Sequence, residues 1–390
     1  MNDAGMATSE PVRIAYVIGE LGKGGAEYQL HQLLSALDRA RFMPRVFVLA
    51  AGGHWTEPIR RLGVQVEELP RRGPADVRRL LRLRRALRTF APHVLHTIRW
   101  SGNTYGRLAA LGLGIPVVIA AERVRYLTRP WGRVFVDRLL DRVTDGYLVN
   151  SASIADGLVA RERIARRKIR VVCNGIDLRA TPAFVVDRAP GRAAAGLPPD
   201  RRLVAQVGRL IEQKDFPTFL RAVAIVTAAV ADVDFLVVGD GALRRSLEAE
   251  VRRLGIEPRV RFTGLRHDVP ALLAAVDVLA LTSTFEGMPN AVLEAMTMGA
   301  VAVATDVGGC RELVVSGETG FLVPTADPQA VADAVVRLLR DGALCRRMAL
   351  AARRRIETEF TVERLARRTE AAYAELLRTR AGAGPAVATA

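Results

Sequence analysis

"LVAQVGRLIEQKDFPTFL", residues 203–220, decides the fold. An apolar run over Leu203–Val207 ends at Gly208, a loop carrying Arg209 and Lys214 follows, and a helix opens near Pro217. A continuously apolar strand passed straight to a helix belongs to a parallel sheet covered on both faces. The same unit recurs downstream at Phe235–Val238, Val260–Thr263, Val278–Leu281, Val301–Thr305 and Phe321–Val323. An earlier series comprises Val12–Ile18, Arg45–Leu49, Val64–Leu69, Val94–His96, Val117–Ala120, Gly146–Val149 and Ile169–Val172. An Ala-, Pro- and Gly-rich stretch around 180–200 separates the two. The expected fold is α/β, with one doubly wound domain over 1–175 and a second over 176–360. A helix at about Val362–Leu377, within 361–378, is expected to return to the first domain, and the tail 379–390 to be disordered. Ligands of such sheets sit at the carboxyl ends of the strands, and the cleft between two such domains is the natural site.

Composition narrows the function. The chain has 390 residues, half of them hydrophobic, too many for one ordinary core. No apolar run reaches the roughly 18 residues of a membrane span; Leu108–Ala121 comes nearest and stops at Glu122 and Arg123. The opening MNDAGMATSEPV lacks the regions of a signal peptide. Cys173, Cys310 and Cys345 have no metal-ligand spacing, so neither disulfides nor a zinc site is expected, and the expected location is the cytoplasm. A net charge of +16 admits nucleic acid, an anionic membrane or phosphorylated ligands. Aromatics are 5% and none cluster beside the basic runs, so nucleic acid is not expected as a partner.

Three stretches could carry chemistry. In "IGELGKGGAEYQL", 18–30, a strand meets a glycine-rich turn and a helix with Leu30, Leu33, Leu34 and Leu37 on one face. Gly24 and Gly25 either let backbone N–H groups approach an anion or simply make a tight connection. The stretch is neither a P-loop nor the dinucleotide fingerprint. In 207–220, Arg209 offers a planar fork and Lys214 a point charge, a good pair for a diphosphate unless both are solvated loop cations. In "FEGMPNAVLEAM", 285–296, Glu286 lies in a turn, Pro289 suits the first helical position, and Glu294 lies in the helix that Gly299 caps. At ~1.5 Å per residue their Cα atoms are roughly 12 Å apart. Glycosidase carboxyl groups face one another across about 5–9 Å, so this pair suits holding two parts of one elongated ligand. The N–H groups of Gly287, Met288 and Asn290 and the helix dipole would form a cradle between them. The plain alternative is an ordinary helix with an exposed Glu294. "ADVDF", 231–235, reads as a solvated turn ahead of a strand rather than a metal site.

These stretches, with "VVGDGALRRSLE" (237–248), "VGGCREL" (307–313), "GGAE" (24–27) and "CNGID" (173–177), resemble the GT4-type retaining glycosyltransferases (glycosyl transferases group 1). The resemblance spans about residues 12–375 and is densest over 203–325. It implies the GT-B fold, two Rossmann-like domains facing across a cleft. The first would be the acceptor side and the second the nucleotide-sugar side. It implies that Glu286 contacts sugar hydroxyls and Glu294 the ribose. Gly208, Arg209 and Lys214 would hold the diphosphate, with Gly24 and Gly25 approaching it or the acceptor. Backbone groups of Gly287, Met288 and Asn290 would complete the donor site. No cofactor or metal is implied, because the cations and helix N-termini take that place. The implied transfer is to the same face of the sugar, with the leaving phosphate deprotonating the acceptor.

The sequence departs from the family after the fourth strand. Relatives often carry His-x-His there, whereas "VLHTIRW" has His96 followed by Ile98. His96 either takes a catalytic role, yields it to Arg99, or is a hydrogen-bonded residue at a strand end. Glu122 and Arg123 are further acceptor-side candidates. "RRGPADVRRLLRLRRALRTF", 71–90, carries eight arginines and one acid, with Val77, Leu80, Leu83, Leu87 and Phe90 at helical intervals. Either the arginines are solvated, or they rest on an anionic membrane at its inner face and bring the enzyme to a lipid-linked acceptor. "RERIARRKIR", 161–170, could extend that patch. The favoured reading is transfer from a UDP-sugar to a glycan or lipid-linked hydroxyl. The alternatives are a sugar-nucleotide epimerase of similar build and a basic module binding membrane or nucleic acid.

Overall fold

The computed structural model describes residues 10–73, 76–123, 131–179, 188–194, 196–198 and 200–382. The chain divides into two units: one runs to Gly175 and takes the chain back from Val362, and the other is Ile176–Thr361.

The first unit is a seven-stranded parallel sheet of β1 (Val12–Ile18), β2 (Phe42–Val48), β3 (Gln65–Glu68), β4 (Val94–Ile98), β5 (Val117–Glu122), β6 (Gly146–Val149) and β7 (Ile169–Val171). Their order is β3-β2-β1-β4-β5-β6-β7. The second is a six-stranded parallel sheet of β8 (Arg202–Val207), β9 (Val233–Val238), β10 (Val260–Gly264), β11 (Val278–Leu281), β12 (Val301–Thr305) and β13 (Gly320–Val323), ordered β10-β9-β8-β11-β12-β13. Strand order reverses between β1 and β4 and again between β8 and β11. Those are the crevices where the ends of diverging strands leave room for a ligand.

All thirteen expected strands are present, and the shifted boundaries have physical causes. β2 starts at Phe42, ahead of Pro44, because Phe42–Pro44 pair with β1 alone; β3 joins only from Arg45. The missing N–H of Pro44 therefore costs no ladder bond. β4 continues past His96 to Ile98, since Thr97 Oγ1 has two acceptors within reach of its one proton, Asn103 Oδ1 (2.7 Å) and Ile119 O (2.9 Å), and is satisfied inside the core. Pro289 is not the first helical residue. It is extended (φ −76°, ψ 116°), and the helix runs Asn290–Met298.

Both faces of the first sheet are covered. One face packs Ile14, Tyr16 and Ile18 against Leu365, Ala366, Tyr373 and Leu376 of the helix Val362–Arg380. The other packs Ala15, Val17 and Leu95 against Leu83 and Leu87 of the helix Val77–Phe90. In that helix Leu80 and Phe90 are half-buried, but Val77 is 66% exposed and does not join the packed stripe. Arg79, Arg82 and Arg84 are not simply solvated, because they donate to the carbonyls of Leu49, Pro70 and Ala109. Asp234 lies inside β9 and pairs with Arg201 at 2.7 Å, so "ADVDF" is not a solvated turn throughout. Among the described residues no helix is long and apolar enough to cross a membrane.

Candidate active site

In the second unit, the loops leaving β8 and β11 at the strand-order reversal are tied together. Gln206, fully buried in β8, donates to Lys214 O (2.8 Å) and accepts from Thr282 Oγ1 (3.0 Å). Thr282 Oγ1 also reaches Asp215 O (2.8 Å). Thr284 N donates to Gln213 O (2.9 Å), and Gln213 Nε2 donates to Phe285 O (2.8 Å). Asp215 stands in the left-handed region (φ 42°) and caps the helix Phe216–Ala229 by accepting from Thr218 N. That turn sends the chain back on itself directly after Lys214. Gly208 leaves space for the Lys214 stem, because a Cβ there would lie 3.3 Å from Lys214 Cδ.

The result is a cation placed on a carboxylate. Lys214 Nζ donates to Glu286 Oε1 at 2.5 Å, with side-chain exposures of only 16% and 8%. Arg209, at the end of β8, is exposed. Gly287 O accepts from Gly309 N (2.5 Å) and Met288 is buried. Gly308 and Gly309 carry no side chain that marks them in the sequence, yet they fix the Glu286 turn. Gly308 has φ 48°, and a Cβ on it would come within 2.0 Å of Glu286 O. A Cβ on Gly309 would come within 2.4 Å of Gly287 O. Gln206 is absent from the expected site, although an amide inside an apolar strand is a readable sign of a buried polar network.

Glu294 is half-buried on the helix Asn290–Met298 rather than exposed, and burial pushes its carboxyl up to about 7. Its folded pKa exceeds the ordinary carboxylate value, so ionisation opposes folding. The cost is absent below about pH 4.3, grows with pH and is fully present above about 7. Glu294→Gln is therefore expected to raise the melting temperature at pH 8 and not at pH 4, which a thermal-shift series would check.

In the first unit, Gly24 is extended (φ −115°) and precedes the helix Gly25–Ala36. Its lack of a side chain makes room for Glu27, whose Oε2 would lie 2.0 Å from a Cβ there. Glu27 is 1% exposed and accepts from Arg99 Nη1 at 2.6 Å. Arg99 follows β4 and holds a left-handed φ of 61°, a strained conformation for a side-chain-bearing residue. His96 lies in mid-strand rather than at a strand end. It is buried, its Nδ1 is 2.6 Å from Tyr373 Oη, and burial drives its pKa down to about 3. Glu122 is buried and accepts from Asn103 Nδ2 at 2.9 Å. Arg123 donates to Asn174 Oδ1 (3.0 Å), and burial lowers its pKa to about 10 against the opposing pull of Tyr373, Glu27 and Tyr16. Arg99 thus meets Glu27 at the carboxyl ends of the strands, while His96 and Glu122 are engaged within the sheet.

Two family models match the chain: Glycosyltransferase Family 4 over residues 23–180 and Glycosyl transferases group 1 over 201–341. The alpha-D-kanosaminyltransferase of Streptomyces kanamyceticus is 32% identical over 259 residues, 63% of this chain and 67% of that one. The UDP-Gal:alpha-D-GlcNAc-diphosphoundecaprenol alpha-1,3-galactosyltransferase of Escherichia coli is 27% identical over 69% of this chain and 72% of its own. Two further curated relatives are matched over only 55% and 58% of their length. Among solved structures, Anabaena Alr3699/HepE in complex with UDP and glucose superposes with a TM-score of 0.83 at 21% identity, covering 93% of this chain and 99% of that one. The chain belongs to the family-4, group 1 glycosyltransferases, and each unit is one of the two α/β domains of the GT-B fold.

Proposed function

We propose that the chain is a retaining glycosyltransferase that moves a sugar from a UDP-sugar to a hydroxyl of a lipid-linked or cell-envelope glycan intermediate. The observation that carries this reading is the Lys214–Glu286 pair clamped at the β8/β11 reversal, with Arg209 at the end of β8. UDP is supported as the nucleotide by the UDP complex of the Anabaena neighbour. A lipid-linked acceptor is supported by the diphosphoundecaprenol named for the E. coli relative.

In this reading the diphosphate draws Lys214 off Glu286. Lys214 and Arg209 then offset the charge that grows on the leaving phosphate. Glu286, released from its cation, accepts from sugar hydroxyls. Glu294 accepts from the ribose, and the backbone of Gly287, Met288 and Asn290 lines the span between them, with Gly208 giving the diphosphate room beside β8. The anomeric C–O bond to the diphosphate breaks and a bond to the acceptor oxygen forms on the same face. The acceptor proton passes to the leaving phosphate. Two cations supply the charge a divalent ion would otherwise bring, so transfer is expected to persist in EDTA. On the acceptor side, Arg99 held by Glu27 at the strand ends and Arg123 nearby take the roles a second histidine would fill. His96 then acts by shaping the sheet beneath them.

A mass-spectrometric screen of UDP-, GDP- and ADP-sugars, with and without hydroxyl acceptors, tests the reading. Transfer that requires an acceptor supports it, and isomerised donor without acceptor would replace it with an epimerase. A second readout isolates Glu294. Ribose hydroxyls favour its charged form, so UDP affinity should rise more steeply between pH 6 and 8 in the wild type than in Glu294→Gln, where only the ionisation of the phosphate itself contributes. Equal profiles would remove Glu294 from the ribose.

Attachment to an anionic membrane surface belongs to the same proposal. On the helix Val77–Phe90, the exposed Val77 and Leu81 share a face about 100° wide with Arg78, Arg85 and Arg88. The helix Trp131–Asp141 exposes Phe135, Arg138 and Leu139. Apolar residues bedded among cations suit the headgroup boundary of acidic lipid. Within 161–170, Lys168 and Arg170 are tied to Asp141 and Glu375 and add less to the patch. Co-sedimentation with phosphatidylglycerol vesicles should be lost in Leu81→Glu and near 1 M salt, where the screening length falls to about 3 Å. Binding indifferent to both would sink the idea.

A further inference from the structure

We propose that a pocket within the first unit, over the carboxyl ends of β1 to β4, takes the phosphate or diphosphate of an anionic acceptor. The pocket has a volume of about 690 Å³, and Arg71, Arg79, Arg99 and Arg133 line it with Glu27 and Trp100. These four arginines are not equivalent. Arg99 is balanced by Glu27 at 2.6 Å and by Glu20 at 3.7 Å. Arg71, Arg79 and Arg133 have no carboxylate at ion-pair distance among the described residues, so the pocket carries a surplus of positive charge.

Neutral contacts hold those three in place. Arg79 donates to Leu49 O (3.1 Å), its guanidinium lies 4.2 Å from the centre of the Tyr105 ring, and its buried Nε has no hydrogen-bond partner among the described residues. Arg133 stacks on Trp100, also at 4.2 Å. Arg71 Nε donates to Gly73 O (2.5 Å). The buried Trp100 Nε1 adds a further donor without a partner among the described residues. Guanidinium groups fixed this way have already lost much of their side-chain freedom, so little more is lost when they bind. A planar fork fits phosphate oxygens two at a time. The helix Arg99–Ala110 also begins at this pocket, and the positive end of its dipole acts in the same direction. A neutral glycan would leave the surplus charge uncompensated, whereas a phosphate removes it. The remaining space, with Leu49, Ala50 and Pro70 in its wall, admits the group that carries the phosphate.

That this ligand is the acceptor rests on the transferase reading above; that it is an anion does not. Calorimetric titration of the full chain with inorganic pyrophosphate, in the presence of saturating UDP, tests the pocket. Arg71→Gln and Arg133→Gln should each weaken pyrophosphate binding by about tenfold or more, the worth of a charged hydrogen bond. Both should leave UDP affinity and the melting temperature unchanged, and Arg133→Lys should recover part of the loss. UDP binding together with pyrophosphate binding that is absent, or indifferent to both variants, would overturn the pocket. Pyrophosphate binding with the expected sensitivity in a protein that ignores UDP would instead overturn the transferase reading. Farnesyl diphosphate distinguishes the sources of the anion. A lipid-borne diphosphate predicts competition at least tenfold better than pyrophosphate, and a water-borne phosphate predicts parity.

Discussion

Lys214→Ala is expected to cut kcat/KM for sugar transfer by about a hundredfold or more, as loss of a preorganised charge stabiliser does. It is also expected to lower the melting temperature. The two effects share one cause. In the ligand-free protein the ammonium is the partner of Glu286, whose side chain is 8% exposed. Removing the cation leaves a nearly buried carboxylate uncompensated, which costs about 3 kcal/mol or more. Arg209→Ala provides the contrast, since Arg209 is exposed and lies in no ion pair among the described residues. It should lose a comparable share of the rate with the melting temperature unchanged. Steady-state kinetics and calorimetry on both variants check this, and unchanged rates in both would remove them from the site.

Gly308→Ala should be nearly as damaging, although residue 308 offers no side chain to any ligand. The substitution forces a Cβ into a left-handed position (φ 48°), within 2.0 Å of Glu286 O. The backbone strain costs roughly 1–2 kcal/mol and the overlap a further 1–3 kcal/mol. The overlap can be relieved only by moving the Glu286 turn, so turnover should fall at least tenfold along with stability. A variant with a lowered melting temperature and wild-type kcat/KM would show that the turn can shift without consequence for Glu286.

Much of the fold could be read because parallel strands buried on both faces are apolar throughout, and Gly208, Gly299 and the 180–200 stretch mark their limits. What escaped was polar or breaks the local rule. Pro44 hid the start of β2 because it pairs on one side only. His96 looked like a strand end because histidine rarely sits in a core, and its bond to Tyr373 comes from a residue 277 positions away. The candidate site could be named from the sequence as positions but not as an arrangement. Lys214 and Glu286 are 72 residues apart, and nothing local says that they touch. Glu27 drew attention only as part of "GGAE", yet it is the carboxylate that holds Arg99.

The helix Val362–Arg380 has a consequence for how the molecule is made. It supplies Leu365, Tyr373 and Leu376 to one face of the first sheet, and its Tyr373 hydroxyl reaches both Tyr16 (3.0 Å) and His96. A ribosome that has released β1 to β7 has produced a sheet whose face at Ile14, Tyr16 and Ile18 has Leu30, Leu33 and Leu34 of the helix Gly25–Ala36 against it but still lacks Leu365, Tyr373 and Leu376, and it must translate the whole of the second unit before that part of the cover emerges. Domains commonly fold in the order they are synthesised. Here the half that begins first is completed last, and a nascent chain halted near residue 361 would carry an open apolar surface for chaperones to shield.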